Sequence, residues 1–249
     1  MNPIHGIGMS ISPLGDRALS IRLSASPEKS LWRFTADLAD RLRAADQSWI
    51  IDVIPAYSTV TVVYDPLRLL RYRSSEELQQ GGDALPYERA AVYVQALLNH
   101  YTGDPAMNEA RVVDVPVCYG GEYGPDLKEA SERAGLSEAD FAARHAGGHY
   151  LVAMIGFMPG FPYLTGLPQE LSQPRRSSPR SYVPAGSVGI AGGQTGIYPL
   201  ATPGGWQIIG RTPILLFDSQ REQPSLLQAG DRLRFVPIDT QRMKKWGET

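Results

Sequence analysis

The 249-residue chain is 43% hydrophobic and 20% charged, with a formal net charge of -2. These are ordinary globular values, and they argue against a disordered, fibrous or membrane class. No apolar run approaches the roughly 20 residues of a membrane helix, and near-neutral charge offers no electrostatic footprint for nucleic acid. The single cysteine, Cys118, has no partner for an internal disulfide. MNPIHGIGMSISPLGD lacks a basic and then apolar leader, so a cytoplasmic protein is expected.

In chain order, residues 9–13 and 17–23 alternate like two short strands around Gly15-Asp16. Residues 28–45 read as a helix, because Leu31, Phe34, Leu38 and Leu42 form one apolar stripe and Ser26-Pro27 supplies a cap and a first-turn proline. Strands follow at 49–54 and 59–64, the second ended by Asp65-Pro66. A polar stretch with Gly81-Gly82 leads to a second amphipathic helix over 86–101. The order ββαββα predicts an α+β, ferredoxin-like domain over residues 1–104. The small, polar segment 102–110 reads as a domain boundary. Beyond it come a strand over 111–117, a helix over 125–134 ended by Gly135, and a helix opened by Ser137 with Asp140 in a capping-box position. From His149 onward, short apolar runs alternate with glycine and proline, which predicts an all-β barrel or sandwich. The second domain spans 111–240.

Between Gly156 and Arg211 stand 11 glycines and 8 prolines in 56 residues, about a third of the segment. Such density costs backbone entropy and ladder hydrogen bonds, so it fits either tight turns or close approach to a ligand. GFMPGFPYLTGLP (156–168) sets Phe157, Phe161 and Tyr163 on a stiff loop, a wall suited to a small ring-shaped ligand. PRRSSPR (174–180) carries Arg175, Arg176 and Arg180, which read either as a solvated face or as an anion site. YVPAGSVGIAGGQTGIYP (182–199) adds Ser187, Gln194, Thr195 and Tyr198 among glycines whose backbone N–H groups can form an anion-holding nest.

GFMPGFPYLTGLP, VPAGSVGIAGGQTGIYP (183–199) and PGGWQIIGRTPILLFD (203–218) closely resemble the signature text of the B subunit of prokaryotic 5-oxoprolinase. That family includes the KipI-type kinase inhibitor, allophanate hydrolase subunit 1 and carboxyltransferase subdomains C and D. VPVCYGGEYGPDL (115–127) and AGDRLRFVPI (229–238) extend the resemblance, and ISPLGDRALSIRL (11–23) does so more loosely. It implies a cyclophilin-like barrel as the second domain, and partnership with the A and C subunits of that enzyme. It also implies ATP-dependent cleavage of 5-oxoproline to glutamate, with Mg2+ accompanying the ATP; the alternative is inhibition of a sensor histidine kinase.

In that frame Arg175, Arg180 and Arg211 are candidates to grip carboxylate or phosphate, with Arg175 and Arg211 counted as catalytic. Ser187, Gln194, Thr195 and Tyr198 would bind substrate against the wall of Phe157, Phe161 and Tyr163. His145 is a candidate acid or base. His145 and His149 have helical metal-pair spacing, but Gly147-Gly148 intervenes and no third ligand is in sight, so no metal site is expected. There is no Gly-Lys-Ser/Thr loop and no lysine from Glu129 to Met243, so any nucleotide here must use arginine and backbone groups, or bind mainly to a partner.

Overall fold

The computed structural model describes residues 7–24, 31–71, 84–99 and 111–246, apart from the side chains of Arg33 and Asn99. The Ser26-Pro27 cap, the Gly81-Gly82 stretch and the 102–110 boundary lie outside these residues. Two compact units divide at Glu109/Ala110.

In the first unit, alternation drives a four-stranded antiparallel sheet. It comprises β1 (Gly8–Pro13), β2 (Ala18–Ser24), β3 (Ile50–Ala56) and β4 (Thr59–Tyr64), in the order β1-β2-β4-β3. Leu19, Ile21 and Leu23 of β2 and Val60, Val62 and Tyr64 of β4 are buried, while the residues between them are not. Period-two side chains thus give the sheet one core face. Helices α1 (Leu31–Ala44) and α3 (Pro86–Asn99) lay Leu38, Leu42, Ala90, Val94 and Leu98 into the same core, around a fully buried Trp49. Each buried Leu, Ile or Val adds roughly 1.5–3 kcal/mol, so this stripe rather than helix propensity holds the helices in place.

Asp65-Pro66 does more than end β4. It starts a short helix, α2 (Pro66–Arg71), in which Asp65 Oδ1 accepts from the N–H groups of Leu67 (2.9 Å) and Arg68 (3.1 Å). Proline at the first helical position and aspartate at the cap are a start signal as much as a stop signal.

The second unit is a closed seven-stranded barrel. Around the barrel the order is β10 (Gln194–Ile197), β7 (Pro162–Thr165), β6 (Tyr150–Ile155), β13 (Arg232–Pro237), β5 (Val112–Tyr119), β12 (Gln207–Arg211) and β9 (Ser187–Ala191), which pairs again with β10. β13 and β5 run parallel, while the other neighbours are antiparallel. A barrel this narrow is filled by its own side chains. Val115, Val117, Val152, Leu164, Val188, Ile190, Ile197, Ile209 and Phe235 form that filling. Helices α4 (Leu127–Arg133) and α5 (Glu138–Ala146) add Leu127, Ala130 and Phe141 to it. Ser137 caps α5 as its spacing predicts, its Oγ accepting from Asp140 N at 3.0 Å. Outside the barrel, β8 (Arg180–Val183) and β11 (Thr202–Gly204) form a two-stranded ribbon. A short helix, α6 (Thr240–Trp246), follows β13.

Candidate functional site

Alternation along β9 decides which side chains leave the barrel. Val188 and Ile190 join the interior cluster, so Ser187, Gly189 and Ala191 face outward. A bulge in β12 between Ile208 and Gly210 resets the pattern, pairing Ile208 with Gly189, Gly210 with Val188 and Arg211 with Ser187. On the other edge of β12, Arg211 opposes Cys118 of β5. Directly opposed residues share a face. Cys118, Arg211 and Ser187 therefore form a row across three strands of the outer wall. Tyr198 continues that row, its backbone N–H donating to Ser187 O at 2.9 Å.

Two atoms in this row lack partners among the described residues. Ser187 is completely buried and its Oγ makes no hydrogen bond, and neither does the buried Nε of Arg211. The Arg211 guanidinium lies over the Tyr123 ring, 5.5 Å from its centroid, a cation–π contact that leaves its N–H donors in the guanidinium plane. Among the described residues Arg211 has no carboxylate within ion-pair distance. Tyr123 is carried by the Gly120–Gly124 turn. A Cβ on Gly124 would stand 2.1 Å from Ile209 O, so only glycine lets the turn press on β12.

The arginine-rich segment divides. Arg175 is exposed. Arg176 and Arg180 instead converge on the buried carboxylate of Asp126. Arg176 Nη1 donates to Oδ1 (3.1 Å), and Arg180 Nη1 and Nη2 donate to Oδ2 (2.8 Å) and Oδ1 (2.6 Å). Ile208 N adds a fourth bond to Oδ2 at 2.6 Å. Arg180, expected to grip a ligand, is thus engaged in an internal ion pair. Asp126 itself went unnoticed in the sequence. Its place before a helix reads as a cap, yet its side chain makes no capping bond, because two guanidinium groups are stronger partners.

The aromatic wall is mostly a core. Phe161 and Tyr198 are 1% and 2% exposed and pack with Trp206, Val183, Ala191 and Ile208 between barrel and ribbon. Phe161 meets Tyr198 and Trp206 edge-on at 5.3 and 5.5 Å. Burial pushes the Tyr198 hydroxyl up to about 12 against a bond from the Trp206 backbone. Tyr163 is half-buried, 4.9 Å from Phe161. Phe157 alone is well exposed, in a left-handed backbone conformation (φ 71). Phe161 and Tyr198, expected as ligand contacts, are thus placed in a second small core, which a stiff Gly/Pro loop with aromatics packs as readily as it lines a pocket.

His145 and Thr195 are found inside the barrel. Thr195 Oγ1 donates to Gly189 O (2.9 Å) and accepts from His145 Nε2–H (3.0 Å), which leaves Nδ1 to accept from the Tyr119 hydroxyl (2.8 Å). His145 is fully buried, and desolvation lowers its pKa from 6.5 to about 3. His145, expected as an acid or base, and Thr195, expected as a ligand contact, are thus placed inside the barrel and bonded to each other. Gln194 is half-buried just after the Gly192-Gly193 turn. Around Ser187 the backbone N–H groups are bonded internally. Gly186 N donates to Tyr198 O (2.7 Å), Ser187 N to Pro184 O (3.3 Å) and Thr212 N to Gly186 O (2.9 Å).

Residues 9–227 match the family described as carboxyltransferase domain, subdomain C and D. The chain is 42% identical to the 5-oxoprolinase B subunit of Bacillus subtilis (strain 168) over 228 residues, 92% of each chain. It is 41% identical to the Escherichia coli O157:H7 protein of the same name, covering 90% of this chain and 94% of that one. Among solved structures, TTHA0988 superposes with a TM-score of 0.72 at 35% identity over 90% of this chain; the chain spans 40% of that protein's length. By its match over most of its length, the chain belongs to the carboxyltransferase subdomain C and D family, beside the 5-oxoprolinase B subunits.

Proposed function

We propose that this chain is the B subunit of an ATP-dependent 5-oxoprolinase, working with the A and C subunits to open 5-oxoproline to glutamate. The observation that carries the reading is identity above 40% over nine-tenths of both this chain and proteins bearing that name. A lactam is a poor electrophile. Transfer of the ATP γ-phosphoryl group to its carbonyl oxygen releases ADP and makes the ring carbonyl carbon a good electrophile. Water then adds at that carbon and the ring C–N bond breaks, so the nitrogen becomes an amino group; a second water displaces phosphate from the resulting γ-glutamyl phosphate and leaves glutamate.

In this scheme the chain contributes binding and orientation through Arg211, with the exposed Arg175 and Phe157 beside partner surfaces. ATP and its Mg2+ are held chiefly by the other subunits, in keeping with the absence of lysine from Glu129 to Met243. We read the barrel as cyclophilin-like. We read the first unit as a ferredoxin-like sheet whose last strand has moved to the front of the chain, an arrangement supported by the order β1-β2-β4-β3 with every neighbour antiparallel.

The test is co-expression with the A and C subunits, following glutamate and ADP release from 5-oxoproline. Release is expected only with all three chains present. ADP and glutamate unchanged when this chain is left out would sink the reading.

A further inference from the structure

We propose that Arg211 and Ser187 form a subsite for the carboxylate of a small ligand on the outer wall of the barrel. Buried polar groups in native proteins are paired, and each exception calls for a reason. Here two exceptions, Ser187 Oγ and Arg211 Nε, belong to residues directly opposed across β9 and β12. Side chains opposed in this way stand about 5 Å apart at Cβ, close enough for one ligand group to serve both. A guanidinium beside a hydroxyl, with no acidic partner within ion-pair distance among the described residues, wants an anion.

The available donors set the class of anion. An arginine fork fits carboxylate or phosphate, and phosphate sites commonly add several backbone N–H groups or a lysine to it. Around this pair the N–H groups of Gly186, Ser187, Tyr198 and Thr212 are all bonded to backbone carbonyls, and no lysine lies between Glu129 and Met243. What remains is a planar fork and one hydroxyl, which suit the two coplanar oxygens of a carboxylate. Tyr123 supports the fork from one face. Both unpaired atoms are shielded from solvent in this structure, so binding requires the Arg211 side chain to move aside. Arg176 and Arg180 do not compete, because Asp126 holds them.

The proposal rests on the oxoprolinase reading only in naming 5-oxoproline as the ligand. Its test follows the arginine Nε–H resonances of the full chain by proton–nitrogen correlation, with the Arg211 signal assigned by its loss in Arg211→Lys. Titration with 5-oxoproline or glutarate is expected to shift that signal. The same ring without its carboxylate, 2-pyrrolidinone, and inorganic phosphate should leave it in place. Ser187→Ala should weaken 5-oxoproline binding about tenfold, and in the assembled complex Arg211→Lys should raise KM for 5-oxoproline about a hundredfold. Silence toward both carboxylates, or an equal response to 2-pyrrolidinone or phosphate, overturns the subsite. A response to glutarate from a chain whose complex makes no glutamate keeps the subsite and removes the oxoprolinase reading.

Discussion

Arginines close together in this sequence have unlike fates, and their partners decide them. Arg176 and Arg180 read as anion binders in PRRSSPR, but a carboxylate 50 or more positions away claims both. Removing that carboxylate strands two guanidinium groups whose side chains are 31% and 25% exposed. Asp126→Asn is therefore expected to cost about 2–3 kcal/mol in denaturant unfolding, below the 3–5 kcal/mol of a fully buried pair because solvent still screens part of the charge. Arg180→Lys, which keeps the charge but loses the fork, should cost less. His145 supplies a pH dependence. Its folded pKa of about 3 lies below the ordinary 6.5, so the unfolded chain binds the extra proton as pH falls. The stability of the neutral form is complete above about pH 6.5 and is lost on acidification toward pH 3, at roughly 1.4 kcal/mol per pH unit. Between pH 7 and 5 the wild type should lose about 2 kcal/mol more than His145→Gln in parallel unfolding curves.

At the scale of elements, glycine serves two purposes that the sequence does not distinguish. Gly186 and Gly192 both lie in the left-handed region (φ 79 and 57). A Cβ at Gly186 would sit 2.2 Å from Thr212 O, whereas at Gly192 it meets nothing within 4 Å. Gly192→Ala should cost about 1 kcal/mol, the conformational penalty alone. Gly186→Ala adds a backbone collision beside Ser187 and Arg211, and should cost more than about 2 kcal/mol while weakening carboxylate binding. Thermal melts of the two variants side by side check the contrast. Strands and helices themselves were well announced. Period-two runs became β2 and β4, the Leu38/Leu42 stripe became the buried face of α1, and Ser137 caps α5. What periodicity did not announce was α2, since Asp-Pro after a strand reads as a stop until the chain is seen turning into a helix.

At the scale of the whole molecule, the proposed function makes this chain one subunit of a larger assembly. Incubated alone with ATP and 5-oxoproline, the full chain is expected to release no ADP, and addition of the A and C subunits should restore release. ADP produced by the chain alone would contradict that division of labour. The described residues contain no helix long and apolar enough to cross a membrane.

By itself the sequence determined the family and most elements of the first unit, because these rest on long contiguous motifs, local periodicity and turn chemistry. Tertiary structure decided where His145 and the side chains of the Gly156–Arg211 stretch come to lie and what each of them bonds. Closure of the barrel took His145 and Thr195 inside, packing took Phe161 and Tyr198, and Asp126 took Arg180. Arg211 and Ser187 were left with unpaired donors because a bulge in one strand brought them opposite each other on the outer face. Such pairings join residues far apart in sequence, and what each side chain bonds is a matter of what it finds on arrival.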